Sequence, residues 1–113
     1  MDDEGARADL AVVAREALEL YRHGNRKLLG VDERLPDTQA RVACAPSTAL
    51  QAVVHLLLAA DPVERIEVAA GTLAVTPVRE RTLDEVVAAR IAADAGGALD
   101  REDGSLVLRL PPA

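Results

Sequence analysis

A chain of 113 residues, half of them hydrophobic and with a formal net charge of −6, has the size and composition of one domain around one core. Its acidity opposes general nucleic-acid binding, which relies on Lys and Arg at phosphates, and it disfavours anionic membranes. A single aromatic residue, Tyr21, leaves the core to Leu, Val, Ile and Ala, and a single cysteine, Cys44, excludes an internal disulfide and argues against a thiolate metal cluster.

The first residues, MDDEGARADL, are acidic where a signal peptide is basic, and no apolar run reaches the ~18 residues that span a bilayer. A cytoplasmic location is the expectation, with residues 1–5 a disordered acidic tail and residues 6–113 a single domain. The spacing of Leu10, Val13, Ala17 and Leu20 predicts a helix over Ala6 to Arg22, closed by His23-Gly24-Asn25. RKLLGVDERL reads as a strand with a bulge at Gly30, PDTQ as a turn and ARVACA as a second short strand. A second helix runs from Ser47 to Ala60, begun by Ser47 or Thr48 and stopped at Asp61-Pro62. Its apolar residues Leu50, Val53, Val54, Leu56, Leu57 and Leu58 go nearly all the way round, which requires cover on two faces.

RIEVAA and TLAVTPV, separated by Gly71, alternate as the strands of a hairpin. Thr82 and Glu85 form a capping box for a third helix with Leu83, Val86, Val87 and Ile91 as its apolar face, an Arg90–Asp94 pair, and a stop at Gly96-Gly97. ALDRED and SLVLRLPP flank Asp103-Gly104, a strong hairpin turn signal. The order α-β-β-α-β-β-α-β-β predicts an α/β (α+β) two-layer sandwich, three helices on one face of a mixed sheet.

LQAVVHLLLAAD (50–61), RIEV (65–68), TLDEVVAARIAADAGG (82–97) and LRLP (108–111) stand in an order that resembles the ATP-binding, or catalytic, domain of bacterial sensor histidine kinases, a GHKL ATPase fold. The resemblance runs from about Ala6 to Pro112 and implies the Bergerat arrangement of helices over a sheet. It also shows what is missing. The helix that carries the N-box in that family has Leu56 and Ala60 at its two asparagine positions, the second of which normally holds Mg²⁺; neither residue offers an oxygen to a hard cation. Pro77-Val78-Arg79 stands where the first glycine box and its carboxylate belong. Thr82 and Asp84 replace the two glycines that let helix amides approach phosphate, and the ATP lid between the two boxes is cut down to RERT.

The resemblance therefore implies no catalytic residue, no metal and no bound cofactor, with Leu56, Ala60, Pro77, Thr82 and Asp84 as vestigial nucleotide-site positions. The function expected is a non-catalytic protein-interaction module, acting in bacterial two-component signalling or complex assembly. Its partner would be a signalling protein or a second copy, met through Leu56, Ala52, Ala59 and His55 or through the first helix. The filling of that surface by its own side chains is the competing expectation. The alternative function is a nucleotide-binding kinase or anti-sigma-like switch with atypical ligands, Asp61 for Mg²⁺ and Arg79 or Arg81 for phosphate. His55 reads as a surface histidine partnered by Gln51, His23 as a helix-end residue suited to the dipole, and Cys44 as a buried strand thiol.

Overall fold

In the computed structural model, residues 7–24, 30–36, 40–69 and 71–113 are described. The elements in chain order are β1 (Ala8–Asp9), α1 (Leu10–Gly24), β2 (Asp32–Arg34), β3 (Arg41–Val42), α2 (Pro46–Ala59), β4 (Arg65–Ala69), β5 (Thr72–Thr76), α3 (Leu83–Asp94), β6 (Ala98–Glu102) and β7 (Ser105–Arg109). Five strands form one sheet in the order β2-β4-β5-β7-β6. Only β2 runs parallel to its neighbour, so the sheet is mixed as expected.

Strand alternation builds the core. Ile66 and Val68 on β4, Leu73 and Val75 on β5, and Leu106 and Leu108 on β7 are buried under the helices, while Glu67 between the β4 pair and Arg109 after the β7 pair face water. α2 lies against both α1 and α3. That answers the apolar circumference of α2: Ala49, Ala52, Val53, Leu56, Leu57 and Ala59 are all buried within the chain. Among the described residues no helix is long and apolar enough to cross a membrane.

Several boundaries differ from expectation for identifiable reasons. α1 begins at Leu10, not Ala6, because Ala8 and Asp9 are extended and pair antiparallel with Val42 and Arg41. Asp9 caps the helix, its Oδ1 accepting from the Ala11 amide at 3.0 Å. β3 therefore joins β1 in a separate two-stranded sheet, and only Arg41–Val42 of ARVACA is a strand. α2 begins at Pro46, with Ala45 as its cap residue and no side-chain cap. Pro46, with fixed φ and no amide hydrogen to satisfy, starts the helix itself and leaves Ser47 and Thr48 inside the first turn. The acidic residues 1–5, Asn25, Arg26–Leu29 and most of the PDTQ turn lie outside the described residues.

Both hairpins form as the turn residues dictate. Asp103 and Gly104 have φ of 49° and 77°, the doubly left-handed turn that joins twisted strands. After α3, Gly97 is required by close approach: a Cβ there would lie 1.9 Å from the Arg109 carbonyl oxygen.

Candidate functional site

The C-terminal half of α2, the start of α3 and the six residues 77–82 before it converge on one place. The helix surface expected as an apolar floor is not a surface. Leu56 and Ala60 are wholly buried, and Ala52 and Ala59 nearly so, all within the main core cluster. The reading of Leu56, Ala52 and Ala59 as exposed contact residues is corrected on this point, because α3 lies against α2 and these side chains pack into the core.

Asp84 ties the two helices together. His55 Nδ1 lies 2.9 Å from Asp84 Oδ1, joining α2 to α3, so the partner of His55 is Asp84 and not Gln51. Both side chains are about one-third exposed. A carboxylate in the first turn of α3 suits the positive end of the helix dipole and occupies it with negative charge. Thr82 caps the helix, its hydroxyl accepting from the Glu85 amide at 3.4 Å. The reciprocal half of the expected capping box is replaced by tertiary bonds. Glu85, although charged, is buried, and its carboxylate accepts from Arg101 of β6 at 2.5 and 3.1 Å and from Arg81 at 3.1 Å. The Arg101 hydrogen bond holds the Glu85 carboxyl below its ordinary range.

The buried face of α3 is accordingly Glu85, Ala88 and Ala92, and the expected apolar face is corrected: Leu83 and Val86 are exposed, with Val87 and Ile91 half-buried. Glu85, Ala88 and Ala92 share helical spacing, but that spacing alone does not choose their face over the one with Leu83 and Val86; the bonds from Arg101 of β6 to Glu85 do. The Arg90–Asp94 pair is present at 3.5 Å.

Arg79 turns to the end of α2. Its Nε donates to the Ala60 carbonyl at 3.2 Å and Nη2 to the Pro62 carbonyl at 3.1 Å, placing positive charge at the negative end of that helix. Pro77 is half-buried, and the next amide, that of Val78, donates to the Gly104 carbonyl at 3.0 Å. Asp61 Oδ1 accepts from the Tyr21 hydroxyl, whose oxygen accepts from the buried Val63 amide at 3.2 Å. Burial, then the bond to Asp61, pushes the Tyr21 hydroxyl well above its ordinary pKa. Sequence reasoning had no signal for this link across 40 residues. The three residues of the nucleotide-binding alternative, Asp61, Arg79 and Arg81, thus all have partners within the chain. Among the described residues no three of His, Cys, Asp and Glu are grouped to hold a metal ion.

Cys44 is buried just beyond β3, in a bend and not in a strand, and burial pushes its thiol up, away from nucleophilic use. It lines a cleft of about 540 Å³ with Ala43, Thr48, Ile91 and Asp94, at the opposite end of α2 from His55 and Asp84. His23 is exposed in the last turn of α1, where a basic side chain suits the dipole.

No protein-family model and no curated protein sequence matches the chain. Solved structures do. The ATP-binding domain of PrrB from Mycobacterium tuberculosis superposes with a TM-score of 0.69 at 19% identity, covering 98% of this chain and 99% of that one. The chain has the fold of a histidine kinase ATP-binding domain. The mycobacterial sensor histidine kinase MprB matches at a TM-score of 0.61 and 17% identity, over 95% of this chain and 98% of its own. The histidine kinase domain of the E. coli osmosensor EnvZ matches at 0.57 and 16% identity, over 100% and 92%. At such identities the likeness is one of fold, and function has to be argued from the side chains.

Proposed function

We propose that this chain is a histidine kinase-type ATP-binding domain without nucleotide chemistry, a non-catalytic protein-interaction module in signalling or complex assembly. One observation carries the reading. The junction of α2 and α3 is filled by Leu56 and Ala60 in the core and closed by the His55–Asp84 pair. A polyphosphate brought to the start of α3 would meet the Asp84 carboxylate, and a cation beside Leu56 or Ala60 would meet no oxygen from either side chain. The partner is a protein, either a signalling protein or a second copy of this chain. A stable scaffold with no chemistry of its own suits that use.

The test is thermal melting with and without millimolar Mg-ATP and Mg-ADP. A ligand at 100 times its dissociation constant adds roughly 2.7 kcal/mol, a shift of roughly 10–20 °C for a domain of this size. The expected result is no shift. A clear rise in Tm overturns the proposal and returns Asp61, Arg79 and Arg81 to the nucleotide-binding alternative.

A further inference from the structure

α3 is set with its larger apolar side chains outward. Alanines and one ion-paired glutamate face inward, whereas Leu83 is 78% exposed and Val86 50%. A helix apolar on both faces is ordinarily covered on both. Within the chain, α3 meets α2 and β6 on one side.

Glu85 fixes this setting. Its carboxylate is clasped by Arg101 from β6 and by Arg81. Turning α3 to bury Leu83 would draw that carboxylate off its guanidinium partners, so the exposed stripe is held outward by a tertiary ion pair. The arrangement leaves Leu83 and Val86 in water, where burying a leucine or valine side chain would be worth ~1.5–3 kcal/mol.

The charges along the stripe point to its occupant. Arg79, Glu80 and Arg81 precede the helix, Asp84 stands in the first turn, Arg90 in the middle and Asp94 at the end. We propose that the outer face of α3 is a self-association surface on which a second copy of this chain docks antiparallel. With the two-fold axis between Val86 and Val87, Arg90 of each copy lies beside the Leu83–Asp84 turn of the other. Asp94 then meets the segment before the helix, where Arg79, held on the Ala60 and Pro62 carbonyls, and the exposed Arg81, held on Glu85, outnumber Glu80, together with the positive end of the helix dipole. A parallel, in-register pairing would instead set Arg90 against Arg90 and Asp94 against Asp94. Leu83 and Val86 of each copy are covered by the other. The helix has 12 residues, ~18 Å of length. Two such stripes bury less than the ~1,200–2,000 Å² of a stable interface, so the dimer is reversible and concentration-dependent.

The pairing supplies the contact surface of the interaction module proposed above and rests on that reading. Mg-ATP stabilisation would remove that reading whatever the oligomeric state, and an ATP-silent monomer would remove only this proposal. The experiment is sedimentation equilibrium from about 10 µM to 1 mM, the range expected of a small interface. The parent chain should shift from monomer towards dimer, and the Leu83→Asp/Val86→Asp variant should stay monomeric with an unchanged melting temperature when dilute. A cysteine readout is independent of folding arguments, because Cys44 is buried. Val86→Cys, next to the axis, should cross-link to itself under mild oxidation. Leu83→Cys should not, since two copies of position 83 lie about 10 Å apart along the helices, beyond a disulfide's reach of about 7 Å between Cα atoms. A parent that remains monomeric at 1 mM, a dimer that survives the double substitution, or preferential cross-linking through position 83 would each overturn the proposal.

Discussion

Leu56 shows how one position decides what a surface is. Its side chain is fully enclosed, with Val53, Leu57 and Ala60 around it in the same core cluster. A carboxylate there would have neither water nor a cation to meet. Leu56→Asp should therefore cost more than about 3 kcal/mol, through lost packing and a buried unpaired charge. Circular-dichroism melting should show a large drop in Tm or no folded baseline, whereas a folded variant of near-parent stability would place Leu56 at a surface after all. The sequence could not separate these cases. A leucine on a helix apolar all round is core or interface according to what lies beside it, and the neighbours of α2 are set by tertiary structure. Tyr21 makes the same point from the polar side. Its hydroxyl ties Asp61 and the Val63 amide to the end of α1, a contact that no local pattern announces.

α3 is where local signals and tertiary forces disagree most plainly. Thr82 as the cap and Gly96-Gly97 as the stop were legible, because both are properties of the helix ends. The rotational setting was not, because it depends on Arg101, 16 residues further on. Glu85 links that setting to pH. Its folded pKa is lowered, so between that value and the ordinary ~4.3 of a glutamate the unfolded chain binds more protons and stability rises with pH. The contribution is fully present above the unfolded pKa and is lost as pH falls through the lowered folded value. Glu85→Gln should be less stable than the parent at pH 7 by about 1–3 kcal/mol, and the gap should narrow on acidification below about pH 4. Urea titrations from pH 3 to 7 measure both slopes. Glu102, held low by Arg109, contributes to the acid loss in both proteins and cancels in the difference. A gap that stays constant with pH would mean that the carboxylate charge is not what holds α3.

The whole molecule is a fold whose scaffold and whose candidate site are recorded differently in the sequence. The scaffold was readable because its signals are redundant. Two hairpins are marked by Gly71 and by Asp103-Gly104, three helices are marked by long apolar-rich segments with stops at their ends, and the mixed sheet follows from their order. What escaped is short. β1 and β3 have two residues each, too few for any period to appear, and their pairing moved the start of α1. The nucleotide site that the resemblance implies is the opposite kind of feature, its positions dispersed over α2, the segment after β5 and the start of α3. Supplying one part should therefore not supply the whole. Thr82→Gly/Asp84→Gly places glycine at both positions at the start of α3 yet leaves Leu56 and Ala60 in the core and only residues 77–82 between β5 and α3. It also removes the cap hydroxyl and the His55 partner and adds glycine to a first turn, so a loss of about 1–2 kcal/mol is expected. Melting the double variant with and without Mg-ATP should show that lower Tm and no response to nucleotide. A response would mean that the backbone of a nucleotide site is intact beneath the side chains, and that Thr82 and Asp84 are what keep nucleotide out.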